Sequence, residues 1–178
     1  MAAVIEYPPF SLALVHLLEH FELATLPTDN GDWPAYYSHM PDNEHSPDNI
    51  IVCYDTAGVK QNREMKGGKV RQMIGSQVLV RSRDYHDGWL KARNIERKID
   101  GFYRELIKVT APDEDEWFII VHSTTRTGPV SPLGSEEKTG RYLFSYNFLS
   151  TTEFEYSTKA GDNLHNLVHV SFPDANPA

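Results

Sequence analysis

The sequence predicts an α+β fold: a small four-stranded sheet, mainly antiparallel or mixed, packed with two helices in the order α-β-β-α-β-β, with long arms between strands. Three observations carry this. Residues 75–108 read as one strand, 76–82, followed by a long amphipathic segment, 89–108. An apolar stripe at helical spacing precedes that unit at residues 9–23. Further strand patterns lie on both sides of the unit, at 50–54, 117–122 and 141–149. Each such segment has an apolar face to bury, and layering helices on a sheet buries them together.

Taken in order, residues 9–23 place Leu14, Leu17, Leu18 and Phe21 at i, i+3, i+4 and i+7. Pro8-Pro9 favour a helix start there, and Pro27 lies beyond its end. Residues 27–49 are rich in turn formers, but Trp33, Tyr36 and Tyr37 are large enough to pin the segment down, which a free linker would not need. Ile50-Ile51-Val52-Cys53-Tyr54 reads as a strand buried on both faces, broken by Asp55-Thr56-Ala57-Gly58. The arm 58–74 then carries Lys60, Arg63, Lys66, Lys69 and Arg71, a basic concentration in an acidic chain. It is long for a hairpin loop, so it is either disordered or a functional projection.

In the central unit, Trp89, Ala92, Ile95, Ile99, Phe102 and Leu106 form one stripe. Lys91, Arg93, Asn94, Glu96, Arg97, Lys98 and Asp100 fall on the other side, and Arg104 extends that charged face. Asp84 or Asp87 can cap the N-terminus. Residues 111–116 make an acidic turn, 117–122 a third strand, 126–140 a second long connection. Residues 141–149 form a fourth strand that can continue to Tyr156, with Tyr142, Phe144, Tyr146 and Phe148 on one face. That aromatic face and the two arms leave more apolar surface than a small monomer needs, which argues for an oligomer. One domain at 1–156 is expected, with a C-terminal extension at 157–178, part of which can be ordered, holding Leu164, Leu167, Val168, Val170 and Phe172.

Composition narrows the classes. With 178 residues, 40% hydrophobic and 24% charged, the chain has the make-up of a soluble globular protein. The net charge of -8 disfavours free nucleic acid as the main partner. The N-terminus lacks a basic region and is broken by Pro8-Pro9, so no signal peptide is expected, and no apolar run reaches the roughly 20 residues of a membrane span. The expectation is synthesis in a cytoplasm and work in a soluble assembly. The single Cys53, inside an apolar strand, rules out an internal disulfide and reads as a small buried hydrophobe.

Catalytic constellations are weak. His16-Leu17-Leu18-Glu19-His20 matches H-x-x-E-H, which in some zinc peptidases sets two ligands a helical turn apart. Here those side chains fall opposite the leucine stripe and no third ligand is evident; a solvated helix face is the better account. A zinc hydrolase using His16 and His20 is the alternative from another functional class. His39, Asp42, His45 and Asp48 match no metal spacing. Gly67-Gly68 beside Lys66 and Lys69 lacks the phosphate-loop pattern, and no G-x-S-x-G elbow is present. No enzyme activity, cofactor or metal is expected.

The chain resembles the minor capsid proteins read as tail terminators of long-tailed bacteriophages. The residues that carry this are Tyr36-Tyr37-Ser38-His39-Met40-Pro41, Pro47-Asp48-Asn49 and Val52-Cys53-Tyr54-Asp55-Thr56-Ala57-Gly58. Gly75, Gln77-Val78-Leu79-Val80-Arg81, Tyr85, Gly88-Trp89 and Ala92 add to it, as do Arg126-Thr127-Gly128-Pro129, Leu133-Gly134, Gly140-Arg141, Phe144 and Asn147-Phe148. The similarity spans roughly residues 10–150. It implies a virion protein, assembled in the host cytoplasm, forming a hexameric ring at the head-proximal end of the tail tube. Such a ring would end tube polymerisation and dock the head–tail connector or stopper protein, with genomic DNA passing through its lumen without sequence-specific binding and no membrane involved. Another head–tail joining protein, such as a stopper or completion protein, is the nearest alternative. Within this reading, the arm 58–74 (Lys60, Arg63, Lys66, Lys69, Arg71) and the connection 126–140 (Arg126, Glu136, Glu137, Lys138) are the candidate contacts to neighbouring subunits or the tube.

Overall fold

The computed structural model describes residues 8–29, 31–41, 46–63, 70–110 and 116–156. Its elements are α1 (Phe10–His20), β1 (Ala35–Tyr37), β2 (Ile50–Arg63), β3 (Val70–Ser82), α2 (Tyr85–Ile99), β4 (Tyr103–Thr110), β5 (Glu116–Arg126), β6 (Ser131–Ser135) and β7 (Tyr142–Tyr156). The α+β class and the two helices are as expected. The sheet is larger than the four strands expected: among the described residues it has seven, in the order β1-β2-β3-β7-β5-β4, with β6 also on β7.

α1 is buried almost all round, through Phe10, Ala13, Leu14, Val15, Leu17 and Leu18, as a helix inside a core should be. It touches both β1 and β4, the two edge strands of the main path, so the sheet curls around it. Its N-terminus has no side-chain cap of its own. Instead the Asp55 carboxylate, from β2, accepts hydrogen bonds from the Ser11 amide and hydroxyl, each at 2.8 Å, at the end of a helix where negative charge is favoured.

Asp55 to Gly58 therefore do not break the strand, as the sequence suggested. β2 continues through them by a bulge between Thr56 and Val59. Gly75 faces the bulge: a Cβ there would lie 2.5 Å from the Ala57 carbonyl oxygen. The glycines mark a close strand approach rather than a stop. The arm 58–74 is accordingly for the most part a continuation of the β2–β3 ribbon.

α2 starts at Tyr85, four residues before the amphipathic segment expected from Trp89, with Asp84, one of the two expected caps, accepting from the Asp87 amide at 3.0 Å. It stops at Ile99, well short of the expected Lys108. Gly101, at φ 78°, turns the chain, and Phe102 and Leu106 leave the helical stripe. From Tyr103 the period is two: Ile107 and Val109 are buried while Leu106 and Lys108 are exposed. The spacing of three and four through Ile99, Phe102 and Leu106 was a coincidence of a helix followed by a strand.

β7 is the spine. β3 pairs along nearly all of it, from Ser82↔Tyr142 to Arg71↔Glu153. Its other edge is shared by β5, ending at Arg126↔Phe148, and β6, beginning at Ser131↔Ser145. β5 and β6 thus form one interrupted strand. The expected long connection 126–140 resolves into a short bulge, β6, and a tight turn closed by Glu136 N–H to the Arg141 carbonyl at 2.8 Å. Residues 27–49, expected to be irregular, include β1, parallel to β2 at Ala35↔Ile51.

The main core joins the inner sheet face (Ile51, Val78, Val80, Phe144, Tyr146, Phe148, Ile119) to α1 and to Ala92, Ile95 and Ile99 of α2. The aromatic face of β7 is therefore spent on the core. It does not supply the exposed apolar surface from which an oligomer was inferred. A smaller cluster, Ile50, Val52 and Leu79, lies on the other face under Tyr36 and Met40.

Candidate assembly surfaces

The strand register gives the molecule two ends. At one lie the end of β2 at Arg63, the start of β3 at Val70, the β4–β5 strand ends at Thr110 and Glu116, and Tyr156. At the other lie the β6–β7 turn and the start of α2. Between Tyr142 and Glu153 on β7 the separation is about 36 Å at 3.3 Å per residue. Of the two stretches singled out as contacts, Glu136 to Lys138 sit at the opposite end from the β2–β3 ribbon, whereas Arg126, paired with Phe148, lies near the middle of β7. The backbones of Lys60 and Arg63 lie in β2 and that of Arg71 in β3; Lys66 and Lys69 fall outside the described residues, as do residues 111–115 of the expected acidic turn. Glu136, Glu137 and Lys138 form the β6–β7 turn, with Glu137 and Lys138 exposed.

That second end is fastened by two arginines, Arg81 and Arg141, which the sequence marked only as carriers of the resemblance and not as contacts. Arg81, fully buried, donates to the carbonyls of Pro41 (3.1 Å) and Pro47 (3.0 Å) and pairs with Glu136 at 3.6 Å. Arg141 donates from Nε to Asp48 at 2.9 Å and from Nη2 to the Ser46 carbonyl at 3.3 Å. Ser82 Oγ donates to Asn49 at 3.0 Å. Planar guanidinium groups suit this forked bonding to carbonyls and carboxylates. The cluster pins the segment leading into β2 against β3 and β7. Of the metal-capable residues noted, Asp48 is held here by arginine, His39 is exposed, and Asp42 and His45 lie outside the described residues.

Arg126 is engaged within the subunit. Its Nη1 lies 3.0 Å from Glu96 and its Nε 3.1 Å from Asp100. Glu96 is buried and also pairs with Arg93, so the carboxylate joins α2 to the end of β5. The charged side of α2 is likewise largely occupied: Lys91 lies over the Trp33 ring at 5.2 Å and Lys98 over Phe21 at 4.9 Å, which is how long cations cover aromatic surface. Arg104 is on β4, not on that helix face. Burial lowers the Lys91 pKa, while Asp32 opposes the shift.

His16, Glu19 and His20 border an open groove whose other wall is Glu105–Lys108 of β4. His16 Nδ1 lies 3.5 Å from Glu19. Among the described residues no cluster of three His, Cys, Asp or Glu is placed to hold a metal. Cys53 is buried, and burial pushes its thiol well above the ordinary range, with the Asp55 charge adding to it; it is no nucleophile. Burial raises the Tyr146 phenol in the same way, reinforced by Cys53 and Glu96.

The sequence from Leu17 to Phe154 matches the family described as bacteriophage tail terminator protein. The chain belongs to that family. The match runs from inside α1 to near the end of β7, taking in every strand. As a terminator-family member it is a structural component of the phage tail and resides in the virion. Among solved structures, a chain of the "Virion of native gene transfer agent (GTA) particle" aligns with a TM-score of 0.39 at 8% identity, over 67% of this chain and 78% of that one. Comparison with curated proteins gives no match.

Proposed function

We propose that this terminator closes into a ring on the head-proximal end of the tail tube, ends tube polymerisation, and presents its far face to the head–tail connector. The observation that carries this is the family match over residues 17–154. The fold is compatible with it. A cap needs two faces of different specificity, and the long axis has two chemically distinct ends: the lysine- and arginine-rich β2–β3 ribbon, and the arginine-clamped β6–β7 turn. A ring also needs a surface that meets a different surface of its neighbour. We assign the ribbon 58–74 to the tube or a neighbouring subunit. The β6–β7 turn, with Glu137 and Lys138, goes to a separate partner, because one contact cannot readily span both ends. Genomic DNA passes through the lumen, and an acidic chain does not retain it.

Negative-stain micrographs of the purified protein and of tails bearing it test the reading. Sixfold rings, free or at a tail end, are the expected result. A compact monomer at every concentration, never found on tails, would overturn it. Deleting Lys60 to Arg71 should abolish normal-length tails joined to heads.

A further inference from the structure

On the side of α2 away from the core, Leu90 is 52% exposed. It lines an open recess beside the helix together with Asp32, Trp33, Asp87 and Lys91. Asp32 comes from the segment before β1, and Asp87 from the first turn of α2. Lys91 lies over the Trp33 ring at 5.2 Å. Two carboxylates thus line the recess against one ammonium that is already settled on an aromatic. Acids at the start of a helix are ordinary, because they oppose its dipole. That accounts for Asp87, but not for Asp32 or for an exposed leucine between charged groups.

The other end of α2 is basic. Arg97 is exposed and, among the described residues, in no ion pair, whereas Lys98 lies over the Phe21 ring at 4.9 Å. Arg97 does not reach the recess of its own subunit. It stands about 15 Å beyond Asp87 along the helix axis, and is turned about 80° from Asp87 and about 120° from Lys91 around it. The acidic recess and this cation are therefore two different surfaces of one subunit, facing different ways. A head-to-tail contact needs that arrangement: one patch meets a different patch on the next copy, and the series closes into a ring where the rotation allows.

We infer that Arg97 of one subunit enters the recess of the next, with its guanidinium between Asp32 and Asp87 and its stem along Leu90. A planar guanidinium is suited to meeting two carboxylates at once. Leu90 supplies the apolar contact that keeps water from the pair. Complementary charge of this kind fixes the register between copies more than it adds affinity. The inference rests on the ring reading above and names the surface by which neighbours meet. It leaves the β2–β3 ribbon for the tube and the β6–β7 turn for the separate partner.

Charge exchange in the full-length chain tests it, read as particle mass by light scattering and as rings in negative stain. Asp87→Arg and Arg97→Asp are prepared separately. Each alone should assemble less readily than the native chain by roughly tenfold or more, since like charges then meet across the contact. An equimolar mixture of the two should recover assembly, because each recess again meets a charge of opposite sign, and that recovery also shows both variants folded. Single variants that assemble as the native chain does, or a mixture no better than its parts, overturn the inference. So does a mixture that stops at a dimer, because a two-fold pairing of α2 with α2 is not head-to-tail. A native chain that stays a monomer at every concentration overturns the ring reading itself, and is seen without any variant.

Discussion

At the scale of single residues, Glu96 and Cys53 make the sharpest predictions. Glu96 is a buried carboxylate held by Arg93 and Arg126. Its truncation, Glu96→Ala, should lower stability by about 2 kcal/mol, the range for losing charged hydrogen bonds in a buried setting. Arg126→Ala should cost less, under about 1 kcal/mol, because its side chain is 49% exposed and solvent screens the pair. Urea unfolding of the two variants checks the order, and the reverse order would contradict the assignment. Asp55→Ala, which removes the cap on α1, should cost about 1 kcal/mol by the same measurement. Cys53 and Tyr146 have raised pKa values in the fold. Stability from keeping them neutral is full below their ordinary values of 9.0 and 10.0 and is lost as pH rises past those values, where the unfolded chain sheds protons and the folded one does not. Unfolding free energy should therefore fall between pH 8 and pH 10.5, and Cys53→Ala should shallow that fall; an unchanged slope in Cys53→Ala would exclude the thiol as a contributor.

At the scale of elements, Gly88 distinguishes packing from propensity. Alanine is the better helix former by about 1 kcal/mol. Yet a Cβ at Gly88 would lie 2.6 Å from the Phe144 ring and 2.8 Å from the Ser82 Cβ, so α2 would have to lift off β3 and β7. Gly88→Ala should destabilise by about 1–3 kcal/mol; a rise in melting temperature would show the helix free to shift. Elements with a strong single period were legible in the sequence: the α1 stripe, the α2 stripe from Trp89 to Ile99 with Asp84 among its expected caps, and the alternation in β7. What was not legible depended on partners distant in sequence. β2 runs through Asp55 to Gly58 because a bulge and Gly75 accommodate it, and β1 exists because Ala35 meets Ile51. The merging of α2 with β4 came from a chance match of spacing that the extended Asp100 and the positive φ at Gly101 and Arg104 break. Arg81 and Arg141 gave no local signal, since carbonyls and carboxylates more than 30 residues away give them their role. Glu96 was expected on the charged side of α2, yet it is buried, because it falls four residues after Ala92 and so on the core-facing stripe.

At the scale of the whole molecule, a curled seven-stranded sheet around one buried helix gives a rigid block about as long as its β7 spine. Its chemistry is displayed at the two ends and along the edges. Such a block suits stacking between two different partners. The family membership makes those partners phage tail components, and the ring reading makes this chain the one that stops tube growth. Tail lengths, measured by electron microscopy in phage particles assembled without this chain, test that claim most directly. The account predicts tails of uncontrolled length, unattached to heads. Tails of normal length, with heads that leak their DNA, would contradict it and point to a stopper instead.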